Sequence, residues 1–130
     1  MSRVILQPEG WARPRGYANG IAAEGRQVFV SGQIGWDAAQ NIVSDDFAAQ
    51  VRQALANIVA VLGAAGARPE HLVRLTWYVT SRDEYNAAQT EIGVSYRELI
   101  GRNYPAMSVV VVAALLEPRA KVEIEATAIV

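Results

Sequence analysis

Two periodicities run along the chain, and the switches between them mark its elements. Phe47, Val51, Leu55, Ile58 and Leu62 recur at the spacing of a helix with one buried face. Asp45 or Asp46 stands ahead of them as a cap, and Gly63 and Gly66 follow as the stop. A second stripe, Tyr85, Ala88, Ile92, Tyr96 and Leu99, predicts another helix, preceded by Ser81. Strand-like stretches fall at Arg3 to Leu6, Ile21 to Ala23, Val28 to Ser31 and His71 to Val79, the last rich in β-branched and aromatic residues. Glu24-Gly25-Arg26 reads as a hairpin turn between the second and third of these, and Pro8 to Asn19 reads as loop.

The C-terminal part holds two strands of opposite character. Val109 to Leu116 is apolar throughout, which predicts burial on both faces. Lys121 to Ala128 alternates, with Val122, Ile124, Ala126 and Ala128 on one side and Lys121, Glu123, Glu125 and Thr127 on the other. That pattern fits an edge strand with a solvated face, or a strand whose two carboxylates serve a site. The sum is an α+β domain: a mixed sheet of about five strands with two helices packed on one face. Two helices leave the second face bare, yet the apolar run demands that it be covered. An obligate homo-oligomer follows; its number does not.

Composition narrows the classes further. A chain of 130 residues predicts a single domain spanning 1–130. With 52% hydrophobic and 19% charged residues it can build a core. A net charge of −1 with scattered basic residues gives no footprint for nucleic acid. The absence of cysteine excludes thiol chemistry and cysteine-ligated metals. No secretory pattern or bilayer-length apolar run stands out, so a soluble cytoplasmic protein is expected.

Four motifs carry a resemblance. Tyr104-Pro105-Ala106-Met107-Ser108 with its valine-rich strand leads into Val122-Glu123-Ile124-Glu125-Ala126. Ser31-Gly32-Gln33-Ile34, Gly16-Tyr17 with Gly20, and Gln53-Ala54-Leu55-Ala56-Asn57-Ile58 leading to Leu62 and Gly66 complete the set. Over nearly the whole chain, and in order, this resembles the Rid (YjgF) family of enamine/imine deaminases. The resemblance implies a chorismate-mutase-like (YjgF) fold, a trimer, small-molecule pockets between neighbouring subunits, and neither metal nor cofactor, because a C=N bond is already electrophilic. In that family the position of Met107 is an arginine that grips the carboxylate of a 2-imino acid. The glutamate matching Glu123 places the attacking water, and the residues matching Tyr17 and Ser31 line the cleft.

Met107 departs from the pattern, since a thioether has neither charge nor donor. An arginine–carboxylate grip of about 1.5–3 kcal/mol is therefore missing, and Glu123 is expected to tip the pocket negative. The resemblance then implies an imine or enamine hydrolase acting on a ligand without an α-carboxylate, and not a 2-imino acid deaminase. The alternative is a non-catalytic trimeric metabolite-binding protein. An endoribonuclease or translation inhibitor ranks last on charge. Arg15, Arg13 and Arg119 are candidate replacement cations, with Arg15 first. A second departure is Gly93 or Gln89 where the family has an asparagine, one helical turn before the tyrosine matching Tyr96. Trp11 and Trp36 are candidates for a lid beside Met107 or for loop staples, while Trp77 is expected in the core. His71 is expected at the surface.

Overall fold

The computed structural model describes residues 2–130. Strands β1 (Ser2–Leu6) and β2 (Gly20–Glu24) form an antiparallel ribbon. The main sheet holds β3 (Gln27–Ile34), β4 (Leu72–Val79), β5 (Ala106–Val111) and β6 (Val122–Ile129) in the order β3-β6-β4-β5. Only β4 and β5 run parallel, so the sheet is mixed. Helix α1 (Phe47–Ala64) and helix α3 (Gln89–Leu99) pack on one face, with the short α2 (Arg82–Ala87) leading into α3.

The helix reading holds in detail. Asp46 caps α1 by accepting from the Ala49 N–H at 3.0 Å, and Phe47, Val51, Leu55, Ile58 and Leu62 are all buried. They meet Leu72, Leu75 and Val79 of β4 and Val122 and Ile124 of β6. With 18 residues and a mean hydropathy of 1.3, α1 matches a marginal membrane span in composition, but here it is the core helix of the domain. Gly63 lies inside the helix rather than after it, and the left-handed Gly66 (φ 71°) ends the segment. Ser81 caps α2 by accepting from the Glu84 N–H. The single second helix expected from the stripe is interrupted at Ala88, the C-cap of α2.

Two polar residues of α1 tie the helix to the sheet. Asn57 donates to the carbonyls of Ile34 and Trp36 at 3.2 and 2.9 Å, and Gln53 donates to Asn57 Oδ1, which fixes the amide's orientation. Gln50, fully buried, donates to the Ser44 and Arg119 carbonyls and accepts from the Lys121 N–H.

Three expectations about the strands are corrected. First, β2 and β3 do not pair. The chain turns at Gly25 (φ 144°), where any side chain would strike the Val130 carbonyl, and passes from the ribbon into the main sheet. Arg26 then exchanges both backbone hydrogen bonds with Val130, extending β3 along β6. The single sheet of about five strands is thus a four-stranded sheet plus a ribbon. Second, the alternating strand β6 is central, not an edge. Third, the apolar strand β5 is the edge, and it ends at Val111. Val109, Val110 and Val111 are exposed within the single chain, and Leu116 lies beyond the strand, wholly exposed. Phe29, on the face away from the helices, is 71% exposed. The bare face inferred from the pattern is therefore present, although the apolar run reaches it from an edge.

Burial also shapes one titration. The Tyr96 hydroxyl donates to the Asn103 carbonyl at 2.5 Å, and desolvation raises its pKa well above the usual phenol value. The neutral phenol's stabilisation is then fully present below the unfolded-state pKa near 10 and is lost as pH rises towards the folded-state value. Urea midpoints are expected to fall between about pH 10 and pH 11, more steeply in the native chain than in Tyr96→Phe. Equal slopes in the two proteins count against this assignment.

Candidate functional site

Sheet register decides which side each candidate residue faces. Met107 pairs with Leu75 and Val109 with Trp77, so both share the helix-covered side. Glu123 pairs with Tyr78, whose neighbours Trp77 and Val79 point into the core, so Glu123 faces the open side. Ser31 lies there too, exposed on β3 beside a bulge between Val30 and Gln33. Tyr17 is exposed and anchored close to Met107, because the Ala18 N–H donates to the Pro105 carbonyl at 3.0 Å and Ala18 bridges Ala106. One subunit therefore holds Met107 and Glu123 on opposite faces of the same sheet. Within a single chain the two side chains do not share a site.

On the helix side, Met107 lines a cavity of about 220 Å³ between β4, β5 and α3. Its walls are aromatic. Tyr96 and Tyr104 stack at 5.4 Å, and Trp77 meets Tyr85 edge-on at 6.3 Å. Arg15 and Arg97 also line it, and no carboxylate does. The expected negative tilt is thus absent from the Met107 cavity of a single chain, because Glu123 lies on the other face. Arg15, first among the candidate cations, is at this cavity. Arg119 is instead paired with Asp45 at 2.9 Å. Arg97 was not foreseen; the signal available was its place one turn after Gly93.

On the open side, Glu123 shares a shallow recess with Gly32, Ile34, Trp36, Leu116 and Glu117. A Cβ on Gly32 would lie 2.2 Å from Glu123 Oε2 and 2.6 Å from its carboxyl carbon. The missing side chain at Gly32 is what lets the carboxylate lie where it does, which gives the Ser31-Gly32-Gln33-Ile34 motif a physical role. Ser31 opens instead onto a neighbouring recess with Phe29, Arg74, Thr76 and Glu125. There the Tyr78 hydroxyl donates to Glu125 Oε1 at 2.7 Å, and that bond to the carboxylate raises the phenol's pKa.

Within one chain the tryptophans are not gathered as a lid beside Met107, the first of the two alternatives for Trp11 and Trp36. Trp36 sits beside Glu123, not Met107, and Trp11 is exposed in the N-terminal loop. Trp77 is buried, as expected of a core residue, and also lines the Met107 cavity. His71 closes a short 3-10 turn, its Nδ1 accepting from the Arg68 N–H. Among the described residues no cluster of three or more His, Asp or Glu side chains is arranged for a metal ion.

The sequence profile of the family described as Endoribonuclease L-PSP matches residues 12–130. The chain belongs to this family, Rid/YjgF. It is 33% identical over 129 residues to the 2-iminobutanoate/2-iminopropanoate deaminase of Salmonella typhimurium, covering 99% of this chain and 98% of that protein. The human protein of the same name is also 33% identical, over 99% of this chain and 93% of its own length. Among solved structures, the Rid family protein YyfB of Yersinia pestis, described as of unknown function, superposes with a TM-score of 0.86 at 36% identity, covering both chains fully. Escherichia coli TdcF with bound serine gives 0.72 at 30% identity, over 93% of this chain and 91% of that one. The fold is thus the mixed α+β fold of Rid family members.

Proposed function

We propose that this Rid family chain is a soluble, cytoplasmic homotrimer that hydrolyses an imine or enamine lacking a carboxylate beside the C=N carbon, in a pocket shared by two subunits. The observation that carries the reading is the disposition of Met107 and Glu123 on opposite faces of one sheet, which a neighbouring copy reconciles. The uncovered face bearing Phe29 and the edge at Val109 to Val111 offer the surface for that neighbour.

In this reading Glu123 orients a water and accepts its proton as oxygen adds to the imine carbon. The same carboxyl group returns the proton to nitrogen, giving a carbinolamine; it then takes the hydroxyl proton and passes it to nitrogen as the C–N bond breaks, so that a carbonyl compound and ammonia leave. Tyr17 and Ser31 supply hydrogen-bonding walls, and Met107 an apolar one. No cofactor or metal takes part.

The test uses 2-iminopropionate generated in place. Ammonia release is expected at the buffer rate with the native chain and above it with Met107→Arg, whose guanidinium restores a contact of about 1.5–3 kcal/mol. Rapid turnover by the native chain overturns the reading. A second reading, a binding protein without chemistry, draws on the uncharged Met107 itself. It predicts stabilisation by a ligand that is never consumed.

A further inference from the structure

Gly93 poses a question that its own backbone does not answer. It lies inside α3 without a positive φ, where glycine costs roughly 1 kcal/mol relative to alanine. A Cβ at this position would sit 3.2 Å from Arg97 Nη1, tighter than ordinary contact. The absent side chain makes room for the Arg97 guanidinium, one turn further along, to lie back across the helix at the Met107 cavity.

That cavity has the chemistry of an acid-binding site. Arg15 from the N-terminal loop and Arg97 from α3 are both at its lining, and neither is ion-paired to a carboxylate among the described residues. The remaining wall is Trp77, Tyr85, Tyr104 and Met107, flat and apolar surfaces suited to a ring. At about 220 Å³ the space falls below the ~300 Å³ where drug-sized pockets begin, which sets the scale at a small metabolite.

We infer that this cavity binds a small planar, ring-bearing carboxylate, with Arg97 and Arg15 holding the acid and Met107 and the aromatic walls holding the ring. Arg97 does so because Gly93 leaves it room. The anion grip then lies on helix α3 and the N-terminal loop and not on strand β5, so the acid is held apart from any group reacting beside Met107. This deepens the functional reading above and rests on it only for the reaction, giving the substrate class as an imine whose acid group is separated from the C=N bond by a planar body.

Binding of benzoate and of its neutral counterpart benzamide tests the inference by calorimetry at low ionic strength, in full-length Glu123→Gln so that hydrolysis plays no part. Benzoate is expected to bind at least about tenfold more tightly than benzamide, as loss of a charge-assisted hydrogen bond dictates. Arg97→Gln should weaken benzoate about tenfold and leave benzamide unchanged, with Arg97→Lys in between. Gly93→Leu, which strengthens the helix but displaces the guanidinium, should weaken benzoate in the same direction. Benzoate should also shift the Trp77 indole N–H resonance, assigned by its loss in Trp77→Phe. Equal affinities for the two compounds, no effect of Arg97→Gln on benzoate, or no binding of either at millimolar concentration overturns the inference. Imine hydrolysis by the native chain with any of these outcomes leaves the reaction standing and removes only the ligand class. Benzoate binding as described without hydrolysis does the converse.

Discussion

Gln50→Leu is expected to destabilise the domain by about 3 kcal/mol or more. The side chain is fully buried, with Nε2 at 2.8 Å from the Ser44 carbonyl and 3.0 Å from the Arg119 carbonyl, and Oε1 at 2.8 Å from the Lys121 nitrogen. Leucine fills much the same volume but leaves three backbone groups without partners in a low-dielectric site, each costing roughly 1–3 kcal/mol. Relaxation around the site is limited, because a Cβ on Gly35 would already fall 2.6 Å from Gln50 Cβ. The residue just after strand β3 therefore touches helix α1 here with no room to spare. Urea unfolding checks this: the midpoint should drop while the slope stays constant. A loss below about 1 kcal/mol means water replaces the amide and the hub is dispensable.

Gly32→Ala is expected to reduce imine hydrolysis as severely as Glu123→Gln, by about 10²-fold or more, with stability changed by less than about 1 kcal/mol. The clash falls on side-chain atoms of Glu123 from Cγ to the carboxylate and on no backbone atom, so the strand is expected to keep its place while the whole side chain turns away. Rate and stability separate in this variant, and that separation is the diagnostic result. The measurement is ammonia release from imines formed in place by an amine oxidase on a panel of primary amines, alongside melting temperatures. Undiminished turnover in Gly32→Ala shows that the carboxylate's position over Gly32 has no part in the reaction. Turnover that survives Glu123→Gln removes Glu123 from the mechanism altogether.

Much of the fold was legible because local spacing and burial agree. The stripe from Phe47 to Leu62 reads directly as the buried face of α1, and Asp46 and Ser81 cap the helices they precede. What the pattern did not reveal is pairing. Strand partners depend on where the chain goes after a turn, and Gly25 serves a crossing between sheets as readily as a hairpin. The apolar run from Val109 to Leu116 suggested a strand buried on both faces, whereas that character belongs to a face and edge left bare in one chain. Motif resemblance marked Gln53, Asn57 and Gly32 without their reasons. Asn57 holds the end of β3, Gln53 orients it, and Gly32 makes space for Glu123. Arg97 escaped notice because exposed arginines are ordinary, and only its distance to Gly93 distinguishes it.

Strand β5 carries a further consequence. From Ala106 to Leu116 the chain has neither a charge nor a proline, and along β5 one backbone edge is open. The segment's gatekeepers, Pro105 and Glu117-Pro118-Arg119, stand only at its ends, and none interrupts the stretch between them. Subunits freshly released by ribosomes would be at their stickiest, so substitutions that add apolar bulk along this strand should register in cells as inclusion bodies long before they alter any melting curve.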